Sequence, residues 1–75
     1  MKAYVLVNVR AGKAREVVRK VRDISAVKEV HACWGRPDVF TFVEVKDEKT
    51  LADTVLANIQ AIDGVESTDT HIVIE

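Results

Sequence analysis

Five side chains in this sequence carry groups suited to acid/base or nucleophilic work: His31, Cys33, Asp38, Asp69 and His71. Their spacing argues against a reaction centre. No nucleophile stands at a short fixed interval from a base, no H-x-x-x-H pattern is present, and no paired carboxylates share one helical face. A lone strand histidine is more often a surface or partly buried residue, and a lone cysteine more often packs than attacks. A second set consists of rings. In GRPDVFTFVEV, residues 35–45, Phe40 and Phe42 alternate with Val39, Thr41 and Val43, and Tyr4 lies in the earlier run AYVLVNV. Rings on strands serve either as a stacking platform for nucleic-acid bases or as an apolar seam between chains.

The elements that must position these groups follow from periodicity. In residues 3–9, Ala3, Val5, Val7 and Val9 share one strand face while Tyr4, Leu6 and Asn8 share the other. After the Ala11-Gly12 break, Ala14, Val17, Val18, Val21 and Ile24 recur at helical spacing, with bases and acids on the outer side. Residues 27–34 and 39–45 are expected to be strands joined by a Gly35-Arg36-Pro37-Asp38 hairpin loop. Asp47 can cap a second helix with Leu51, Val55, Ile59 and Ile62 as its inner stripe, and Gly64 marks its stop. Residues 67–74 make a fourth strand.

The order β-α-β-β-α-β in a single domain, residues 1–75, implies an α+β, ferredoxin-like fold: a four-stranded antiparallel sheet, strand order 4-1-3-2, with two helices on one face. Tyr4, Leu6, Phe40 and Phe42 are then placed on the uncovered face, and Ile72 and Ile74 are expected beside them. Such a patch marks an interaction surface.

A chain of 75 residues is small enough to need a staple such as a disulfide, a metal or a partner subunit. Cys33 is the only cysteine, so an intrachain disulfide is excluded and a zinc cluster lacks its ligands. Self-association remains, and no cofactor is called for. The 48% apolar fraction is too high for a disordered chain. No run is long enough to span a membrane and no secretory leader is evident, so a cytoplasmic location is expected. The net charge of −1 gives no general pull toward phosphates.

Three readings of the open face follow. An RRM-like RNA-binding domain would stack bases on Tyr4, Phe40 and Phe42, but the third-strand signature of that fold is absent, with Val39 directly before Phe40 and Val45 at its end. The bases also gather on the first helix, across the sheet. A small dimeric ferredoxin-like enzyme would use the five polar groups named above, without the spacing it needs. A dimeric αβ sandwich would bury Tyr4, Leu6, Phe40 and Phe42 between two sheets. A few hundred Å² per subunit at about 25 cal/mol/Å² gives on the order of 10 kcal/mol before association costs. This third reading is the preferred one.

The chain also resembles, from AYVLVNV to its last residue, the effector-binding and oligomerisation (RAM) domain of the Lrp/AsnC, or feast/famine, transcription regulators. The telling pieces are CWGRPDVFTFVEV, similar to the family's strand, G-x-x-D turn and strand, and TLADTVLANIQAIDGVESTDTHIVIE, similar to its second helix, G-V turn and T-x-T strand. The resemblance implies dimers, their assembly into octamers or similar rings, and a free amino acid bound where dimers meet. Gly35 and Asp38 of the turn and Thr68 and Thr70 of the strand would line that site, with Arg36 as a further carboxylate partner that the family pattern does not fix. A carboxylate suits an α-ammonium, and hydroxyls and turn amides suit an α-carboxylate. The regulators carry a helix-turn-helix before this domain, whereas Met1 here opens on the first strand. A stand-alone module without direct DNA binding is therefore expected, acting in transcriptional or metabolic regulation, with full-length Lrp/AsnC regulators as candidate partners and no enzymatic activity.

Overall fold

The computed structural model describes residues 1–75. Strand β1 (Lys2–Val9) leads into helix α1 (Ala14–Arg22), and β2 (Val27–Ala32) and β3 (Val39–Glu44) form a hairpin. Helix α2 (Glu48–Asp53) continues as a wider π-helical stretch (Thr54–Ile59) before β4 (Val65–Ile72). One antiparallel sheet results, ordered β2-β3-β1-β4. This is the expected α+β, ferredoxin-like arrangement with the expected strand order.

The helices close one face of the sheet. Ala3, Val5, Val7 and Val9 of β1 lie there, each no more than 1% exposed. Val39 and Val43 of β3, Val17 and Val21 of α1, and Ile59 complete a core made mostly of short β-branched side chains. Such side chains fill a thin layer between sheet and helix at little rotamer cost. Thr41 is the exception, being 1% exposed with a hydroxyl that has no hydrogen-bond partner.

The second helix has a side-chain cap at its start and the first, whose N-cap is Lys13, has none. The Asp47 carboxylate accepts from the Thr50 N–H at 2.8 Å, and hydrogen bonding from the Thr50 side chain and then from its N–H holds the carboxyl below the usual value. In α1, Glu16 occupies the first turn and Arg19, Lys20 and Arg22 the last, as the helix dipole favours. The Lys13 ammonium bridges Glu16 at 3.1 Å and Asp63 at 3.3 Å, tying the start of α1 to the turn before β4. Hydrogen bonds to these two acids raise Lys13 above its ordinary value, and the bond back from Lys13 lowers Glu16 and Asp63. Gly64 belongs to the same corner. Its φ of 101° favours glycine, and a Cβ there would stand 2.8 Å from the Lys13 Cβ.

The second helix departs from regularity where its apolar stripe demands it. Leu51, Val55 and Ile59 are all buried, yet they repeat strictly every four residues. In an α-helix each such step drifts about 40° around the axis. The wider turn, closed by the Gln60 N–H on the Val55 carbonyl at 2.8 Å, spans five residues and offsets that drift.

Several boundaries differ from expectation. The second helix ends at Ile59, so Ile62 and Gly64 lie in the turn that follows it. β2 ends at Ala32, because the Cys33 N–H already bonds the Asp38 carbonyl at 2.8 Å to close a longer loop. Trp34 is therefore outside the strand and fully exposed. β4 runs Val65–Ile72 rather than residues 67–74. Ile72 pairs with Ala3 and so belongs to the helix-covered face, not to the ring face. Ile74, 96% exposed, lies past the strand end and joins neither face.

Candidate functional site

The loop between β2 and β3 is built around the end of β1. Gly35 takes φ 109°, a backbone state that L side chains rarely adopt. The β1–β3 register pairs Val7 with Val39, so its continuation sets Pro37 opposite Val9. Proline has no N–H for the ladder, and side chains take over there. The Val9 N–H donates to the Asp38 carboxylate at 3.0 Å, and the Arg36 guanidinium donates to the Val9 carbonyl at 2.8 Å. Arg36 then reaches across to Glu66 of β4 at 2.9 Å, while its other nitrogen stands 3.8 Å from the Asp38 carboxylate.

This clamp locks the turn in place. The Asp38 side chain is 19% exposed, with one oxygen committed to the backbone and the other beside a guanidinium. A carboxyl so placed is held in one position at the sheet end. Gly35, Arg36 and Asp38 are thus brought together by structure. Glu66 was not anticipated, and only its sign, opposite to that of Arg36, hints at it in the sequence.

Thr68 and Thr70 stand elsewhere. Both pair with β1 residues of the helix-covered face, and β1 lies between them and β3. The Thr68 hydroxyl accepts from the Gln60 amide at 2.7 Å. Thr70 lines a shallow, mostly apolar groove of about 390 Å³ with Leu51, Ala52, Val55, Leu56 and Ile72, and the Glu48 carboxyl stands at it as its one ionisable group. Gln60 was not anticipated either, because it depends on the irregular turn before it.

On the open face, the Tyr4 and Phe42 rings lie 5.0 Å apart at 47°. Tyr4 and Phe40 are 48% and 39% exposed, and Leu6 and Phe42 are half-buried. α1, which carries Arg15, Arg19, Lys20 and Arg22, packs on the other side. The polar groups considered for catalysis do not converge: His31 contacts Glu29 on β2 and His71 contacts Asp69 on β4, at opposite sheet edges. No group of three or more His, Cys, Asp or Glu side chains stands close enough to hold a metal ion. No helix is long and apolar enough to cross a membrane.

Residues 2–75 match the family model described as the Lrp/AsnC ligand binding domain. The HTH-type transcriptional regulator FL11 of Pyrococcus horikoshii is 35% identical over 75 residues, covering 100% of this chain and 49% of that protein. The chain spans about half the length of the curated relatives it matches. Among solved structures, TTHA0845 from Thermus thermophilus superposes with a TM-score of 0.94 at 28% identity, covering 99% of this chain and 92% of that one. A transcriptional regulator of Neisseria meningitidis, solved as its L-Met complex, gives a TM-score of 0.87 at 25% identity, covering 99% of this chain and 49% of that one.

Proposed function

Because the chain belongs to the Lrp/AsnC ligand-binding-domain family, we propose that it is a self-associating module that senses a free amino acid and exerts regulation through its assemblies. One geometric observation carries the reading. The clamped Gly35–Arg36–Asp38 turn and the Thr70 groove face outward from different parts of one molecule, separated by a strand. Each is half of a site for a zwitterion. The turn supplies a carboxylate for an α-ammonium, and the groove supplies hydroxyl and apolar surface. Contact between dimers, as in an octamer or similar ring, brings the two halves of different copies together.

The Neisseria meningitidis relative, solved as its L-Met complex, supports the ligand class. The exposed apolar set Tyr4, Leu6, Phe40 and Phe42 supports a dimer stacked through its sheets. Full-length Lrp/AsnC regulators bearing the same domain are natural co-assembly partners. In this role the module works by association.

Native mass spectrometry with and without a mixture of amino acids tests assembly and bound mass together. Isothermal titration then sharpens the site. Asp38→Asn keeps the acceptor for the Val9 N–H and removes the charge. A charge-assisted hydrogen bond contributes about 1.5–3 kcal/mol, so binding should weaken roughly tenfold to a hundredfold with the fold unchanged. Equal affinities would remove Asp38 from the site, and no binding by the wild type would leave a purely oligomerising module.

A further inference from the structure

The open face is patterned in a way that the dimer reading alone does not require. Strand register sets its side chains in two rows across the sheet. One row runs His31, Phe40, Leu6, Asp69, and the next runs Glu29, Phe42, Tyr4, His71. Each edge therefore carries one acid and one histidine, and the apolar residues fill the middle. Turned by half a rotation in its own plane, the pattern repeats itself: His31 falls on His71, Glu29 on Asp69, and apolar on apolar.

This internal symmetry has a consequence for stacking two copies. If the two-fold axis between the sheets runs along the strands, the β2 edge of one copy lies over the β4 edge of the other, and His31 meets Asp69 while Glu29 meets His71. If the axis runs across the strands, each edge lies over its own counterpart, and His31 meets Glu29 while Asp69 meets His71. Both arrangements set every imidazole over a carboxylate. The rim is thus complementary to itself.

Resting on the reading of this face as a dimer seam, we propose that the Glu29/His31 and Asp69/His71 rims select a second copy of this chain and make its association proton-dependent. In the single molecule His31 lies 3.3 Å from Glu29 and His71 3.1 Å from Asp69, one carboxylate for each imidazole. Stacking supplies a second. A proton on the imidazole therefore favours the stacked pair, and stacking favours the proton. Other charged groups near the two rows are Lys2 and Glu44, which pair with each other one row beyond Tyr4 and Phe42, and Arg22 and Lys28, which share a pocket at the β2 edge with Glu29 and His31; both bases are charged throughout the histidine range, so they offset the level of association rather than its pH dependence. Association strengthens as pH falls through the range where histidine gains its charge, roughly pH 8 to 5, and weakens again where carboxylates are neutralised.

Subunit exchange between unlabelled and nitrogen-15-labelled copies, followed by native mass spectrometry between pH 5.5 and 8, reads this directly. Four rim pairs per dimer, each contributing a modest exposed ion pair, should slow exchange about tenfold at pH 5.5 relative to pH 8. The double variant His31→Gln, His71→Gln should remain dimeric and exchange at a rate that no longer varies with pH. A wild-type dimer whose exchange is flat across that range overturns the rim proposal and leaves the dimer reading standing. So does a double variant that keeps the wild-type pH profile. A monomer at every pH overturns both.

Discussion

The two faces of β1 teach different lessons although they alternate residue by residue. On one face Ala3, Val5 and Val7 are wholly buried under the helices, and on the other Tyr4 is 48% exposed. The covered face is finished within one chain: small β-branched side chains, packed to exclusion of water, with a single orphaned hydroxyl. The open face is large and aromatic at its centre and charged at its rims. Apolar rings without cover mark an interaction surface. On the function proposed above, folding depends on the first face and association on the second.

The largest test of that division is an acid placed on each side. Val5→Asp puts a carboxylate where there is no water and no partner, which costs several kcal/mol, a large share of the stability of a domain this small. Circular dichroism should show no cooperative unfolding transition. A folded Val5→Asp would erase the contrast between the faces.

Phe40→Asp should act differently. Phe40 already meets solvent in the single molecule, so its replacement should leave the strand signal in place while light scattering reports a monomer. The monomer should unfold at lower denaturant than the assembled wild type, since binding to the native state adds stability. An unchanged oligomer would refute the seam.

A smaller effect of opposite sign is expected at Thr41, the one polar side chain of the covered face of β3. Its hydroxyl is buried without a partner, and Thr41→Val keeps the shape while removing that group. The variant should gain about 1 kcal/mol or more in urea unfolding. A loss instead would mean that the hydroxyl is satisfied in solution.

The period of two made much of this legible in advance. Alternation in residues 3–9 and 39–45 assigned Tyr4, Leu6, Phe40 and Phe42 to one face, and the order of elements gave the sheet. Asp47 announced the start of the second helix through local chemistry alone, whereas the helix stops at Ile59, short of the expected Gly64. What stayed hidden depends on registers between distant strands. The face of Ile72 is fixed by its pairing with Ala3, and the β1–β4 register shifts between Asn8 and Val9. The clamp from Arg36 to Val9 and Glu66 exists because Pro37 falls opposite Val9, an alignment that no local pattern encodes. Of the five residues proposed for ligand binding, Gly35, Arg36 and Asp38 share the turn while Thr68 and Thr70 lie on β4, which only the Arg36 side chain reaches, through Glu66.

The smallest expected effect separates the faces by pH rather than by mutation. The acids that brace the covered layer, Glu16, Asp47 and Asp63, are held below their ordinary values of 4.5, 3.8 and 3.8 by hydrogen bonds to Lys13, Thr50 and Lys13 respectively. A carboxyl lowered on folding stabilises the fold above its ordinary value and loses that contribution as pH falls through the lowered one. Lys13, raised above 10.5, contributes below that value and loses its contribution as pH rises through the raised one. Thermal unfolding of the Phe40→Asp monomer should therefore be nearly level from about pH 5 to 9 and decline below about pH 4. Half-molar salt should weaken the part due to Glu16 and Asp63, whose charges are exposed to screening, and spare more of the part due to the Asp47 cap, which is a local hydrogen bond to Thr50. A monomer whose midpoint instead moves between pH 5 and 8 would show that the histidines act on folding itself, and the separation of a folding face from an associating one would fail.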